Sequence, residues 1–138
     1  MSRPLGVAVV ICTYRRPKSL ARTLASLAAA APPGRAAWQV LVVDNGDCAE
    51  TQAVAAAFRD RLPLRILVER QAGLSRARNA AIRALETEYF IWTDDDVTVD
   101  AGWLRGYEAA FAAYPDAAFF GGPVALRFDA EGRLDPAV

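Results

Sequence analysis

Three adjacent carboxylates, Asp94, Asp95 and Asp96, follow the apolar segment Tyr89–Trp92 after a single threonine. Neighbouring carboxylates repel one another, so a site that gathers them usually holds a cation. Residues one and three of an extended segment point the same way, which lets Asp94 and Asp96 share a ligand. Mg²⁺ or Mn²⁺ held in this way completes its shell with water and phosphate oxygens. The alternative is a solvated loop in which aspartates cap turns.

Two further segments place polar side chains directly after apolar runs. The first contains Thr13, Tyr14 and Arg16, and the second begins with Asp44. The Tyr14 ring either packs against its neighbours or offers a stacking face to a nucleobase. Asp44 either caps a turn or accepts a hydrogen bond from the imide N–H of a pyrimidine.

A glycine-led turn at Gly73 opens a predicted helix whose first turns carry Arg76 and Arg78. Helix N-termini attract anions, and an arginine adds a fixed fork for phosphate or carboxylate. The two arginines lie two positions apart and cannot share one helix face. We therefore expect one at a ligand and the other in a structural ion pair; ordinary solvated arginine is the alternative.

The composition excludes several classes of function. Without histidine there is no Ser-His-Asp or Cys-His catalysis and no histidine-bound zinc in these 138 residues. The 16 basic and 16 acidic residues cancel, so no global field attracts nucleic acid. The chain has no EF-hand spacing, dinucleotide fingerprint or Walker motif. No apolar run approaches the roughly 20 residues that span a bilayer.

Short apolar runs alternate with amphipathic segments along the chain. This pattern predicts an α/β fold with a mainly parallel, doubly wound sheet and helices on both faces. In such sheets ligands bind beyond the carboxyl ends of the strands, where the strand order switches direction. The predicted strands are Val7–Cys12, Gln39–Val43, Leu64–Val68, Tyr89–Trp92 and Ala118–Gly121.

Helix signals lie between these strands. Pro17 suits a first helical turn, Ser75 can cap a helix that runs through Leu85 with Ile82 inward, and Asp100 can cap the last helix. The segment after the fifth strand supplies no closing element. We therefore expect an incomplete, N-terminal portion of a domain.

The ordered set of motifs resembles family 2 glycosyltransferases with the GT-A (Rossmann-like) fold. Each motif alone is common, whereas their order and spacing along nearly the whole chain are specific. The matching segments are Val9–Pro17, Val42–Asp47, Arg70–Ala81, Phe90–Val97, Gly102–Leu104 and Gly121–Val124. Asn45 and Gly46 depart from the pattern, since many relatives carry a second aspartate and a serine-like turn there. Because of this departure, the resemblance does not identify which nucleobase the donor carries.

The resemblance implies a role for each matching residue. Tyr14 would stack on the base beside Thr13, Asp44 would bind the base, and Arg16 would lie near the phosphates. Arg76 would approach the base or the diphosphate.

The acidic triplet would serve the sugar and the metal. Asp94 would hold the ribose or sugar, Asp96 would ligate Mn²⁺ or Mg²⁺ with Asp94 close by, and Asp95 would lie next to them.

The implied reaction is a single inverting displacement. A UDP-, GDP- or dTDP-sugar would be the donor, and a carbohydrate or lipid-linked hydroxyl the acceptor. Residues 1–138 would then be the nucleotide-sugar-binding portion, with the acceptor-binding portion absent and the catalytic base downstream of Val138. Asp129, Glu131 and Asp135 lie in no motif that identifies a base. A chain of this extent is expected to bind nucleotide without efficient transfer.

Two other functions fit parts of the pattern. Asp94–Thr98 also reads as the D-x-D-x-T motif of haloacid-dehalogenase-type phosphatases, with Asp94 as nucleophile and Asp96 as acid/base. That motif normally opens the domain and needs a downstream lysine, which is missing here. A nucleotide-binding module or inactive remnant, stabilised as a homo-oligomer, is the non-enzymatic alternative. The two cysteines form no staple pattern, so we expect a cytoplasmic protein that can lie at the inner face of the membrane.

Overall fold

Four parallel strands form the centre of the computed structural model, which describes residues 5–128 and 131–134. The strands are β1 (Gly6–Thr13), β2 (Ala37–Asp44), β3 (Leu64–Val68) and β4 (Tyr89–Thr93). Their order in the sheet is β3-β2-β1-β4, and every neighbouring pair is parallel. Asp129 and Asp135 lie outside the described residues.

Four helices connect and flank the strands: α1 (Pro17–Ala29), α2 (Ala49–Ala56), α3 (Leu74–Ala84) and α4 (Trp103–Ala113). Among the described residues, none of the helices is long and apolar enough to cross a bilayer. The predicted alternation of strands and helices is confirmed.

The sheet is covered on both faces. Alternate residues of β1 enter two different cores, because successive side chains of a strand point to opposite faces. Val9 and Ile11 pack with leucines of α1 and with Leu104 and Phe111 of α4. Val10 packs on the opposite face with Ala77 and Ala81 of α3 and with Leu85, which directly follows that helix. The predicted doubly wound arrangement is therefore confirmed.

The strand order creates a crevice between β1 and β4. The chain moves outward from β1 through β2 to β3, then returns across the sheet to place β4 on the other side of β1. Connections that leave in opposite directions open a gap at the carboxyl ends of the two strands, and ligands of open α/β sheets bind at such a point.

Several local predictions are wrong. Residues 118–121 form no strand in the described structure, and Phe119 is 87% exposed because no neighbouring strand pairs with it there. Ile82 is also exposed, since the inward stripe of α3 runs through Ala77 and Ala81. Helices α3 and α4 begin after Gly73 and Gly102 without a side-chain cap, so neither Ser75 nor Asp100 has the capping role.

The buried Asn45 side chain links three segments at the carboxyl edge of the sheet. Its backbone N–H donates to the Thr13 carbonyl at 2.9 Å. Its amide nitrogen donates to the carbonyls of Glu69 and Gln71, both at 2.9 Å, and its amide oxygen accepts from the Gly73 N–H at 2.9 Å. The φ of 137° at Gly73 strains any residue with a side chain. Asn45 therefore fixes the loop that leads into α3.

Asn45→Asp should destabilise the fold by roughly 1–3 kcal/mol, because a carboxylate cannot donate to the carbonyls of Glu69 and Gln71. Urea unfolding at neutral pH measures the change. Asp47→Asn is the matched control, since Asp47 forms an exposed ion pair with Arg70 and its loss should cost less than about 1 kcal/mol. Equal effects of the two substitutions would contradict the role given to Asn45.

Glu108 of α4 fixes the loop between α1 and β2. Its carboxylate accepts from three successive backbone N–H groups, those of Gly34, Arg35 and Ala36, each at 2.7 Å. The hydrogen bond from Gly34 is the largest cause that lowers the pKa of Glu108, and those from Ala36 and Arg35 add to it. The charged form is thus the one that the fold stabilises.

Glu108→Gln should lower the free energy of unfolding at pH 7 by about 1 kcal/mol, because a neutral acceptor makes weaker hydrogen bonds. A folded-state pKa below the unfolded one gives stability that is complete above the unfolded pKa and lost as the pH falls through the folded pKa. The difference between the two proteins should therefore shrink below about pH 4.3. Chemical unfolding across this range measures it; a constant difference would contradict the assignment.

Candidate functional site

A cleft of about 310 Å³ opens at the carboxyl ends of β1 and β4. One wall carries Thr13, Tyr14 and Arg16, and the other carries the three carboxylates of 94–96. A larger groove of about 640 Å³ runs beside the outer edge of β4, but mainly aromatic and aliphatic side chains line it. The groups able to do chemistry therefore converge in the smaller cleft, at the strand-order switch.

Asp95 is the inward-facing member of the triplet, with only 5% of its surface exposed. The Thr13 hydroxyl donates to its Oδ2 at 2.8 Å, and Arg16 Nη1 lies 3.1 Å from its Oδ1. Burial raises the pKa of Asp95, while the Thr13 hydrogen bond and the Arg16 charge oppose that shift. Asp95 therefore anchors residues 94–99, called the acidic segment below, to β1 and α1.

Asp94 and Asp96 remain accessible in the cleft. Asp94 is exposed, and the Asp96 side chain is 31% exposed with its Oδ2 3.4 Å from Arg16 Nη2. The backbone is a turn at 95–96 rather than an extended strand. The two outer carboxylates thus face the cleft because Asp95 turns inward, and strand alternation is not the cause.

The donor set fits a hard divalent cation only in part. No group of three or more metal-ligating side chains converges within residues 5–128 and 131–134. Two accessible carboxylates suit Mg²⁺ or Mn²⁺ when water and phosphate oxygens supply the remaining ligands. Such a cation would compete with the Arg16 guanidinium for Asp96.

Tyr14 projects from the β1–α1 turn with 52% of its surface exposed. The Arg15 guanidinium lies 5.6 Å from the centre of its ring, and Arg15 adopts a φ of 50°. A side chain at position 46 would meet Arg15 Cγ at 2.7 Å, so Gly46 permits the close approach of the two turns. The exposure of Tyr14 favours a stacking face over a packing residue.

Asp44 is fully buried and caps the turn that follows β2. Its Oδ1 accepts from the Gly46 N–H at 3.0 Å. Its Oδ2 accepts from the Cys48 N–H at 2.8 Å and from the Gln52 side-chain amide at 2.9 Å. Of the two roles expected from the sequence, the structure shows the turn cap. Contact with a nucleobase stays a prediction, since Asp44 is fully buried and is not among the residues that line the cleft.

The two arginines of α3 differ in their surroundings. Arg76 Nη1 donates to the Gln71 side chain, and Arg76 is not among the residues that line the cleft. Arg78 lines a second cavity of about 170 Å³ together with Trp92 and Asp94. This cavity adjoins the cleft, because both contain Asp94. The ligand role that the resemblance gave to Arg76 stays a prediction, and Arg78 is the arginine of this pair that lines a cavity beside Asp94.

Cys12 lies at the floor shared by both cavities. Burial raises the pKa of its thiol to about 11, with the Arg78 charge acting in the opposite direction. The thiol is therefore neutral at physiological pH, and it adds neither a nucleophile nor negative charge to the site.

Three α1 hydroxyl residues, Ser19, Thr23 and Ser26, contact the acidic segment, and the sequence interpretation did not identify them. Each precedes a buried leucine of α1, at positions 20, 24 and 27. The sequence signal was their spacing of four and three residues, which places them on one helix face.

Comparison with known proteins agrees with this architecture. The sequence pattern described as "Glycosyl transferase family 2" matches residues 8–132. The succinoglycan biosynthesis protein ExoM of Rhizobium meliloti is 37% identical over 102 residues, which are 72% of this chain and 33% of that protein. Chondroitin synthase of Escherichia coli is 28% identical over 84% of this chain and 17% of its own length.

Solved structures share the fold. Staphylococcus aureus TarS 1–349 in complex with UDP superposes with a TM-score of 0.73 at 22% identity, over 88% of this chain and 39% of that one. A mannosyltransferase from Pyrobaculum calidifontis in complex with GDP-Man and Mn²⁺ gives a TM-score of 0.61 at 22% identity, over 70% of this chain and 29% of that one.

The family match covers most of the chain, and it favours glycosyl transfer over the phosphatase alternative. The chain spans a third or less of the two curated relatives named above. With its four parallel strands, two helical layers and acidic cleft at the strand-order switch, this chain belongs to glycosyltransferase family 2 and has the GT-A fold.

Proposed function

We propose that the cleft binds the diphosphate of a nucleotide-sugar donor, and that residues 1–138 are the donor-binding portion of an inverting glycosyltransferase. The observation that carries the proposal is the convergence of Tyr14, Arg16 and the accessible carboxylates Asp94 and Asp96 on one cleft. A stacking face, a cation and metal-ligating oxygens are the groups that a base, a diphosphate and its divalent cation require.

The structural relatives support this class of ligand. TarS has been solved with UDP and with UDP-GlcNAc, and the mannosyltransferase with GDP-Man and Mn²⁺. We propose a UDP-, GDP- or dTDP-sugar as donor and a carbohydrate or lipid-linked hydroxyl as acceptor. A cytoplasmic location, contact with the inner face of the membrane and a homo-oligomer stay predictions.

Mn²⁺ or Mg²⁺ would be held by Asp96 and Asp94, and it would stabilise the negative charge on the departing diphosphate. Thr13 and Arg16 hold Asp95 in place, which keeps the outer carboxylates in the cleft. Tyr14 covers the base, and Arg78 supplies a second cation beside Asp94. No residue of this chain is assigned as the base that deprotonates the acceptor hydroxyl.

A nucleotide-binding module without turnover is the second candidate. It shares the cleft and differs only in lacking sugar transfer. Product formation by the purified protein would exclude this second candidate, whereas residues 1–138 without product are expected under both.

Asp96→Asn should abolish the metal-dependent part of nucleotide binding. A ligand that binds only the folded state adds about 2.7 kcal/mol of stability at a hundredfold excess over its Kd. Thermal unfolding with UDP, GDP and dTDP, each with Mn²⁺ and with EDTA, measures this addition.

The exposed Asp60, distant in sequence from the cleft segments, provides the matched control as Asp60→Asn. The Asp60→Asn protein should keep the full metal-dependent increase in thermal stability on nucleotide binding. Survival of that shift in Asp96→Asn would remove the metal assignment. A wild-type protein that no nucleotide stabilises would refute the proposed function itself.

Arg78→Gln should weaken nucleotide-sugar binding by about tenfold, because one charge-assisted contact to phosphate contributes roughly 1.5 kcal/mol or more. Arg76→Gln should leave the affinity within about twofold, since a surface substitution away from the ligand changes little. Both residues lie in the first turns of α3, so the pair controls for effects on the helix. Isothermal titration with UDP-GlcNAc and GDP-mannose makes the comparison; a larger loss in Arg76→Gln would restore the sequence-based assignment.

A further inference from the structure

We infer that Ser19, Thr23 and Ser26 of α1 are positioning residues that set the backbone of the acidic segment for the cation and diphosphate. We call these three side chains the hydroxyl ladder. The inference rests on the proposed function, because it names the part of the fold that determines the geometry of that same cleft.

The ladder bonds to backbone atoms at alternate residues of the segment. The Ser19 hydroxyl donates to the Asp95 carbonyl at 2.8 Å. The Thr23 hydroxyl donates to the Val97 carbonyl at 2.8 Å and accepts from the Val97 N–H at 3.2 Å. The Ser26 hydroxyl accepts from the Val99 N–H at 3.1 Å.

These hydrogen bonds replace secondary structure. Residues 97–100 belong to no helix or strand, so their backbone groups lack the hydrogen bonds that a regular element would provide. Thr23 is 1% exposed and satisfies both backbone polar groups of Val97 with a single hydroxyl. Loss of that hydroxyl would leave the N–H and the carbonyl of Val97 without their hydrogen-bond partner, a situation that folded proteins avoid.

The ladder controls Asp96 from both sides. Its neighbour Asp95 is held through the backbone by Ser19 and through the side chain by Thr13. Its other neighbour, Val97, is held by Thr23. With both flanking residues fixed, the backbone of Asp96 has little freedom, and its carboxylate is directed by α1.

The helix that carries the ladder is itself rigidly placed. Leu20, Leu24 and Leu27 are each at most 1% exposed in the core against the sheet. Each leucine directly follows one ladder hydroxyl, so α1 presents its apolar stripe to the sheet and its hydroxyl stripe to the acidic segment. The sheet therefore fixes the position of the carboxylates through one helix.

Thr23→Val tests the ladder, because valine keeps the shape of threonine and removes both hydrogen bonds to Val97. Thr23→Ser keeps the hydroxyl, and Thr51→Val changes an equally buried threonine in α2. Mn²⁺ affinity is measured by electron paramagnetic resonance of free Mn²⁺ in the presence of UDP or GDP. Nucleotide affinity is measured separately in EDTA.

We expect Thr23→Val to weaken Mn²⁺ binding by about 10–100-fold, the usual loss when a residue that orients a metal ligand is removed. Thr23→Ser and Thr51→Val should stay within about threefold, and all four proteins should bind nucleotide equally in EDTA. Unchanged Mn²⁺ affinity in Thr23→Val would overturn the inference. An equal loss of metal-free nucleotide binding would also overturn it, since that result indicates general damage to the fold.

Amide hydrogen exchange separates the inference from the proposed function. Thr23→Val should accelerate exchange at the Val97 amide and leave the amides of β1 unchanged; unchanged exchange at Val97 would overturn the ladder without reference to any ligand. A wild-type protein that binds no nucleotide would refute the proposed function alone. Should Thr23→Val fail to fold, Ser26→Ala replaces it, with the Val99 amide as the reporter.

Discussion

The burial of the Asp95 carboxylate is the interaction on which the rest of the site depends. A carboxylate removed from water is costly unless hydrogen bonds and an opposite charge compensate it. Here the Thr13 hydroxyl and the Arg16 guanidinium provide both, from the end of β1 and the start of α1. This arrangement divides three adjacent carboxylates into one that faces the protein and two that face the cleft.

The charges around the cleft determine what kind of ligand it suits. Asp94 and Asp96 make its β4 wall acidic, while Arg16 and Arg78 border that wall with positive charge. A free cation would compete with Arg16, and a free anion would be repelled by the carboxylates. In the proposed function, a diphosphate that arrives with its divalent cation would satisfy both sets of charges, because the carboxylates would hold the metal and the guanidinium of Arg16 would be free for the phosphates. The electrostatics thus favour joint binding of the two.

Sequence patterns predicted the features that depend on local composition. The four β-rich runs became the four strands with shifts of a few residues at most, and the position of the strand-order switch brought Tyr14 and the acidic triplet together. The two misplaced helix caps are local errors of two residues, whereas the other failures depend on long-range contacts. Strand formation at 118–121 requires a neighbour to pair with, and the inward face of α3 depends on which residues meet β1 and β2.

The same reasoning explains the residues whose roles the sequence left open. The Asp44 carboxylate could accept a hydrogen bond from a nucleobase. In the structure it accepts instead from donors two, four and eight residues further along the chain, in a turn that only the fold defines. Arg76 and Arg78 share a motif but lie on different faces of α3, and which of them lines the cavity beside Asp94 depends on how the helix packs in the fold. The ladder hydroxyls have ordinary helix spacing, and the segment they hold is 73 to 76 positions away.

Different sets of hydrogen bonds hold the two sides of the cleft in place before a ligand binds. Asn45 ties the β3–α3 loop to the end of β1, and the α1 hydroxyls tie the acidic segment to the core. Both sides are therefore ordered before a ligand arrives, which lowers the entropy that binding must otherwise overcome. Tyr14 is the exception, since it is half exposed and its ring contact is with the neighbouring Arg15. Because a stacking face tolerates different bases, adjustment at Tyr14 beside the proposed diphosphate site would accommodate different nucleobases, while the phosphates and metal would keep one geometry.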